Sequence, residues 1–119
     1  MIPYGREQII TGAIPSKSNS YRTSKTGGFY TNDKVKNYSK DFWVQCDVYR
    51  NKGINVPFSI SVDVYFKTAK SDLDGCFKIL LDCLQFCGAI MNDNLCYEIS
   101  ARKHIDSLNP RIVFNIKPF

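Results

Sequence analysis

The chain has 119 residues, 44% hydrophobic and 23% charged, with 16 Lys+Arg against 11 Asp+Glu and a formal net charge of +5. One domain with a buried core fits that length, and the composition excludes wholesale disorder and a fibrous repeat. No apolar run approaches the roughly 20 residues of a membrane helix, and the first residues lack a secretory pattern, so a soluble cytoplasmic protein with no membrane partner is expected.

In chain order, Ile9–Ile14 is a short apolar stretch stopped by Pro15, a predicted first strand. Tyr21-Arg22-Thr23 and Phe29-Tyr30-Thr31 flank a Gly27-Gly28 turn and read as a hairpin. Val35, Tyr38, Phe42, Cys46 and Tyr49 then recur at helical spacing, with Asn32 or Asp33 as the cap and Gly53 as the stop. Trp43 falls beside the charged side of that helix, where it could stack on a base or a partner but is more often covered by a neighbouring element.

Phe58, Ile60, Val62, Val64 and Phe66 alternate with polar residues, the period of a half-buried strand. A second helix is predicted from Asp72 to Cys87, closed by Gly88, with Asp74, Lys78, Asp82 and Gln85 as a polar seam on an otherwise apolar cylinder. Two strands follow, Leu95–Ile105 and Arg111–Lys117, with Ser107–Pro110 as the turn between them. The order predicts a single α+β domain over residues 1–119, with a mixed sheet and two main helices.

Five cysteines, at 46, 76, 83, 87 and 96, follow no disulfide framework and read as core thiols. A zinc site from Cys83, Cys87, Cys96 and His104 is conceivable but matches no zinc-finger spacing. Charge is divided unevenly. Residues 1–53 hold nine Lys/Arg and four acids, while residues 54–119 hold seven of each. A basic half beside an acid-bearing half suits a protein that grips a polyanion in one place and a cation in another; it equally suits a small domain kept soluble by its charge.

The chemistry-bearing residues are Asp72, Asp74, Lys78 and Asp93. Ser71 and Asp74 have the spacing of a capping box, so the acids alone read more readily as a helix cap than as a site. Three features favour a site. Lys78 extends the seam of Asp74, with Asp74 at i−4 as its expected partner. Asp93 lies in a turn that the return from the second helix can bring back to the sheet. A hard cation such as Mg²⁺ needs carboxylate oxygens, and three acids together without one would repel.

These residues are also recognisable. Asp72-Leu73-Asp74-Gly75-Cys76-Phe77-Lys78-Ile79-Leu80-Leu81-Asp82-Cys83-Leu84, then Gly88, Asn92-Asp93, Tyr97-Glu98-Ile99 and Lys103, resembles the RusA family of Holliday junction resolvases. Pro15-Ser16-Lys17-Ser18-Asn19-Ser20-Tyr21 is similar to the family's entry segment with one residue inserted. Gly75 stands where the family usually has Asn, and Asn92 replaces the first acid of the later pair.

The resemblance implies a RusA-like fold and a homodimer that nicks four-way DNA junctions symmetrically with Mg²⁺, for which Mn²⁺ substitutes, in a bacterial or phage setting. It implies Asp72, Asp74 and Asp93 as metal ligands and Lys78 as a catalytic cation; Asp82 is expected to be structural or a partner of Lys78. Joined to the charge pattern, it points to Lys17, Asn19, Arg22, Lys25, Lys34 and Lys36 as DNA contacts, with Tyr21, Phe29 and Tyr30 interleaved. Arg102 and Lys103 would add a second basic edge, and His104 reads as a surface or satisfied strand residue. Two other functions remain open on the residues alone: a non-catalytic structure-specific DNA-binding module, and a small Mg²⁺-dependent phosphohydrolase.

Overall fold

A computed structural model describes residues 1–16, 21–23, 29–31 and 33–119, with 21–23 and 29–31 described as backbone. The elements are β1 (Gln8–Thr11), β2 (Tyr21–Thr23), β3 (Phe29–Thr31), α1 (Asp33–Gln45) and β4 (Phe58–Phe66), then a 3-10 turn (Asp74–Cys76) running into α2 (Phe77–Phe86). A second 3-10 turn (Asp93–Leu95), β5 (Cys96–Ile105) and β6 (Arg111–Pro118) complete the chain. This is the α+β arrangement with a mixed sheet and two helices that the residue pattern predicts.

Four strands form one sheet in the order β1-β6-β4-β5, and β2 pairs with β3 in a separate two-stranded ribbon. β4 is central, antiparallel to β6 and parallel to β5. Parallel neighbours need a crossover, and α2 supplies it. Residues 107–110 therefore do not join adjacent strands: β6 enters on the far side of β4 from β5. Asp106 organises that connection, its Oδ1 accepting from the Leu108 and Asn109 amides and its Oδ2 from Arg111.

β4 shows why the sheet has one dry face. Its residues alternate strictly between buried and half-buried, with Phe58, Ile60, Val62, Val64 and Phe66 inward. They join Val35, Tyr38 and Phe42 of α1, Ile79, Leu80, Cys83 and Leu84 of α2, and Ile112, Phe114 and Ile116 of β6 in one cluster. Each fully buried aliphatic or aromatic side chain here contributes about 1.5–3 kcal/mol. Phe42 and Tyr49 stack on Phe114 at 6.0 and 5.8 Å.

Both helices are shorter than their apolar stripes. Cys46 and Tyr49 are fully buried as expected, yet α1 stops at Gln45 and they sit in the turns beyond it. Side chains claim the carbonyls that another turn would use. Arg50 Nη1 donates to the Trp43 and Val44 carbonyls at 2.6 and 3.1 Å, and Gln8 Nε2 donates to that of Gln45 at 3.0 Å. Arg50 also lies over the Trp43 ring at 5.0 Å, yet the tryptophan stays exposed, so the expected cover by a neighbouring element is not realised. Gly53, at φ +62°, ends the turns instead of the helix.

The second helix is predicted from Asp72, but α-helical geometry begins at Phe77, after the tighter turn Asp74–Cys76. Gly88 follows α2 with φ +77°, and an added Cβ there would stand 2.9 Å from Asn51 Oδ1 and 3.4 Å from Asn51 Cα. The close approach has a purpose. Asn51, Gly53 and Ile54 donate to the carbonyls of Cys87, Gly88 and Ala89, a strap that fixes the return from α2. Among the described residues no helix is long and apolar enough to cross a membrane.

Candidate active site

The segment leaving the carboxyl end of β4 is pinned from the neighbouring strand. Lys103 on β5 donates through Nζ to the carbonyls of Ala69 and Ser71, at 2.8 and 2.5 Å. The basic edge expected from Lys103 is thus a clamp on the loop that presents Asp72 and Asp74. Both aspartates are exposed. Neither the residue before the 3-10 turn nor the one before α2 has a side-chain cap, so the capping-box reading of Ser71 and Asp74 is not realised. Neither carboxylate forms a hydrogen bond or ion pair with a described residue.

Gly75 lets the entry segment meet this loop. A Cβ on it would lie 2.9 Å from Ser16 Oγ. Asp93, which follows α2, comes back onto the first turn of that helix. Its Oδ2 accepts from Lys78 Nζ at 3.0 Å, and Lys78 also pairs with Asp82 Oδ1 at 3.0 Å. The expected Lys78–Asp74 pair does not form, because residues 74–76 are 3-10 and Asp74 is off the α-helical i−4 register. Asp82 is the lysine's partner, as read from the sequence.

Hydrogen bonds from Lys78 to Asp82 and then to Asp93 hold its ammonium well above the usual lysine range. Gln85 continues the same seam and accepts from the Asp93 amide at 3.1 Å. Asn92 caps the turn by accepting from the Asn94 amide at 3.0 Å. The substituted Asn92 thus shapes the loop even though it supplies no charge. Sequence reasoning missed Gln85 as the anchor of Asp93; its polar place on an apolar helix was the available signal.

Of the expected DNA contacts, Lys34 and Lys36 are exposed on α1. Arg22 lies on β2 opposite Tyr30, Tyr21 opposite Thr31 and Phe29 opposite Thr23. Lys17, Asn19 and Lys25 lie outside the described residues. Arg102 is engaged by Asp63 at 2.9 Å, and His104 Nε2 meets the same Asp63 Oδ1 at 2.9 Å while its ring stacks on Tyr65 at 4.4 Å. These hydrogen bonds, Arg102 first, lower the Asp63 pKa. His104 is the satisfied strand residue expected.

The cysteines are free thiols, four of them buried. Burial pushes Cys83 up to about 12, as suits an inert core thiol. Among the described residues no three His, Cys, Asp or Glu side chains gather as a ready-made metal site, zinc-type or otherwise.

Comparison with known proteins bears directly on this arrangement. The model of the family "Endodeoxyribonuclease RusA" matches residues 12–117. The chain belongs to the RusA family. A curated relative, the crossover junction endodeoxyribonuclease RusA of Aquifex aeolicus (strain VF5), is 31% identical over 107 residues, covering 87% of this chain and 83% of the relative. The RusA match spans the entry segment, α1, the acidic loop, α2 and β5, so every candidate residue of the site falls inside it. For this RusA-family chain the donor chemistry fits a hard divalent ion: Asp72, Asp74 and Asp93 offer carboxylate oxygens only. Asp93 Oδ1 carries no hydrogen bond from a described residue.

Proposed function

We propose that this endodeoxyribonuclease resolves four-way DNA junctions as a homodimer, by paired nicks that depend on Mg²⁺ or Mn²⁺. Asp72, Asp74 and Asp93 would hold the ion, which when bound supplies an activated water and offsets charge developing at the scissile phosphodiester. The observation that carries the reading is the contact of Lys78 with Asp93. It links the carboxylate that follows α2 to the first turn of α2, immediately after the loop bearing Asp72 and Asp74.

The protein's own groups divide the work. Lys103 holds the backbone of the acidic loop, and Gln85 holds that of Asp93. Lys78 places a permanent positive charge where phosphoryl oxygens gain negative charge, the arrangement that stabilises such a transition state. Asp82 would keep the ammonium oriented with Asp93 shared with the ion. Lys34 and Lys36, with Arg22, Lys17, Asn19 and Lys25, would bind phosphates and set affinity without reading sequence. Two nicks related by a two-fold axis need two equivalent sites, which a symmetric dimer provides.

The test is a cleavage gel with a labelled four-way junction, a linear duplex of the same sequence and a small phosphate ester, each with and without Mg²⁺ or Mn²⁺. Symmetric nicks in the junction alone, and only with metal, are expected. Retardation without nicks would mean a binding module, and turnover of the ester would mean a phosphohydrolase; either result overturns the proposal.

A further inference from the structure

A cleft of about 480 Å³ opens beside the acidic loop, between the exit of β1, α1 and the end of β4. Its floor is apolar and partly aromatic, from the buried side chains of Ile14, Tyr38 and Phe66. Asn37 and Asp41, one helical turn apart on α1, line one wall, and Ser71, the residue before Asp72, lines another. Lys34 and Lys67 complete the lining as exposed cations, neither ion-paired with a described residue. Tyr38 also carries the only buried side-chain polar atom among the described residues that lacks a hydrogen-bond partner, its hydroxyl.

An aromatic and aliphatic floor accepts the flat face of a base, and lysines at the mouth accept phosphates. The volume suits a single small ligand rather than a duplex. A base reaches such a cleft only when unstacked, which is least costly where pairing is already interrupted, as at a strand crossover. Asp41 decides which base. An ionised carboxylate only accepts hydrogen bonds, so it matches an exocyclic amino group best; an unstacked thymine offers it only N3–H, flanked by two oxygen acceptors that the carboxylate repels.

We propose that this cleft receives one unstacked nucleotide flanking the cut, and that Asp41, assisted by Asn37, selects a base bearing an exocyclic amino group. The inference rests on the resolvase reading and adds a specificity site to it. Asp41 is a specificity residue and takes no part in the cleavage chemistry.

The experiment permutes A, C, G and T at each nucleotide flanking the cut in a four-way junction. For the wild type and Asp41→Asn, it measures single-turnover nicking with Mg²⁺ and binding by anisotropy without metal. At one position, thymine should be disfavoured roughly tenfold by the wild type, and Asp41→Asn, which can also donate, should remove most of that difference. Nicking with no base preference, or a preference that survives Asp41→Asn, overturns the cleft and leaves the resolvase standing. Base-dependent binding lost in Asp41→Asn but without nicks supports the cleft and overturns the resolvase; neither nicks nor base dependence overturns both.

Discussion

Lys78 is the residue on which the site turns. Two carboxylates grip it, and both raise its pKa, Asp82 more than Asp93. A lysine raised above its ordinary value of about 10.4 stays charged throughout any practical assay. The rate of nicking should therefore show no descending limb below about pH 10 attributable to Lys78. Lys78→Gln should lower single-turnover nicking by on the order of 10²-fold while junction binding persists, and Lys78→Arg should recover much of the loss. A wild-type alkaline fall near pH 8 that Lys78→Arg abolishes would contradict this role.

The residue types at the site were legible because carboxylates and a lysine on an apolar helix have few structural uses. Their pairings were less so: whether Lys78 meets Asp74 or Asp82 depends on where 3-10 geometry gives way to α-helix. Lys103 likewise read as a surface cation, and only the fold shows that it clamps the acidic loop.

At the level of elements, β4 was plain from period-two alternation, whereas the helix ends depended on distant side chains such as Gln8 and Arg50. The return from α2 to Asp93 runs through Gly88, where positive φ and the Asn51 side chain both disfavour a side chain. Gly88→Ala should cost about 2 kcal/mol of stability, read from chemical denaturation, because a side chain is strained at this φ and the Asn51 side chain must also give way. A loss within 0.5 kcal/mol, the ordinary range for a neutral surface substitution, would show that the strap does not constrain this turn.

The exposed sheet face makes its own prediction. Arg102 and His104 hold Asp63 below its usual pKa, so its contribution is complete above the unfolded carboxylate pKa of about 3.9 and disappears as pH falls through the lower folded value. Asp63→Asn should cost roughly 1 kcal/mol at pH 7, a modest figure because the guanidinium is largely in solvent. That cost should shrink in thermal melts as pH falls below the unfolded carboxylate value and vanish once Asp63 is protonated in the fold; a cost that stays the same down to full protonation would contradict the linkage.

At the scale of the whole molecule, the basic first half and acid-bearing second half meet where the entry segment touches the acidic loop, Ser16 against Gly75. Composition showed the division of charge. It could not show the strand order, because placing β6 rather than β5 beside β1 is a matter of long-range pairing that local periodicity does not encode. The fold thereby sets a cationic helix and a cleft beside the loop that bears Asp72 and Asp74, with Asp93 tied to the first turn of α2. The central claim is that those aspartates act together on one bound cation. Mn²⁺ binding, followed by paramagnetic relaxation in the wild type and in Asp72→Asn, Asp74→Asn and Asp93→Asn, tests it most directly: each substitution should weaken binding at least about tenfold, since each removes a charged oxygen ligand, whereas wild-type affinity in Asp93→Asn alone would separate that residue from the other two and contradict a shared site.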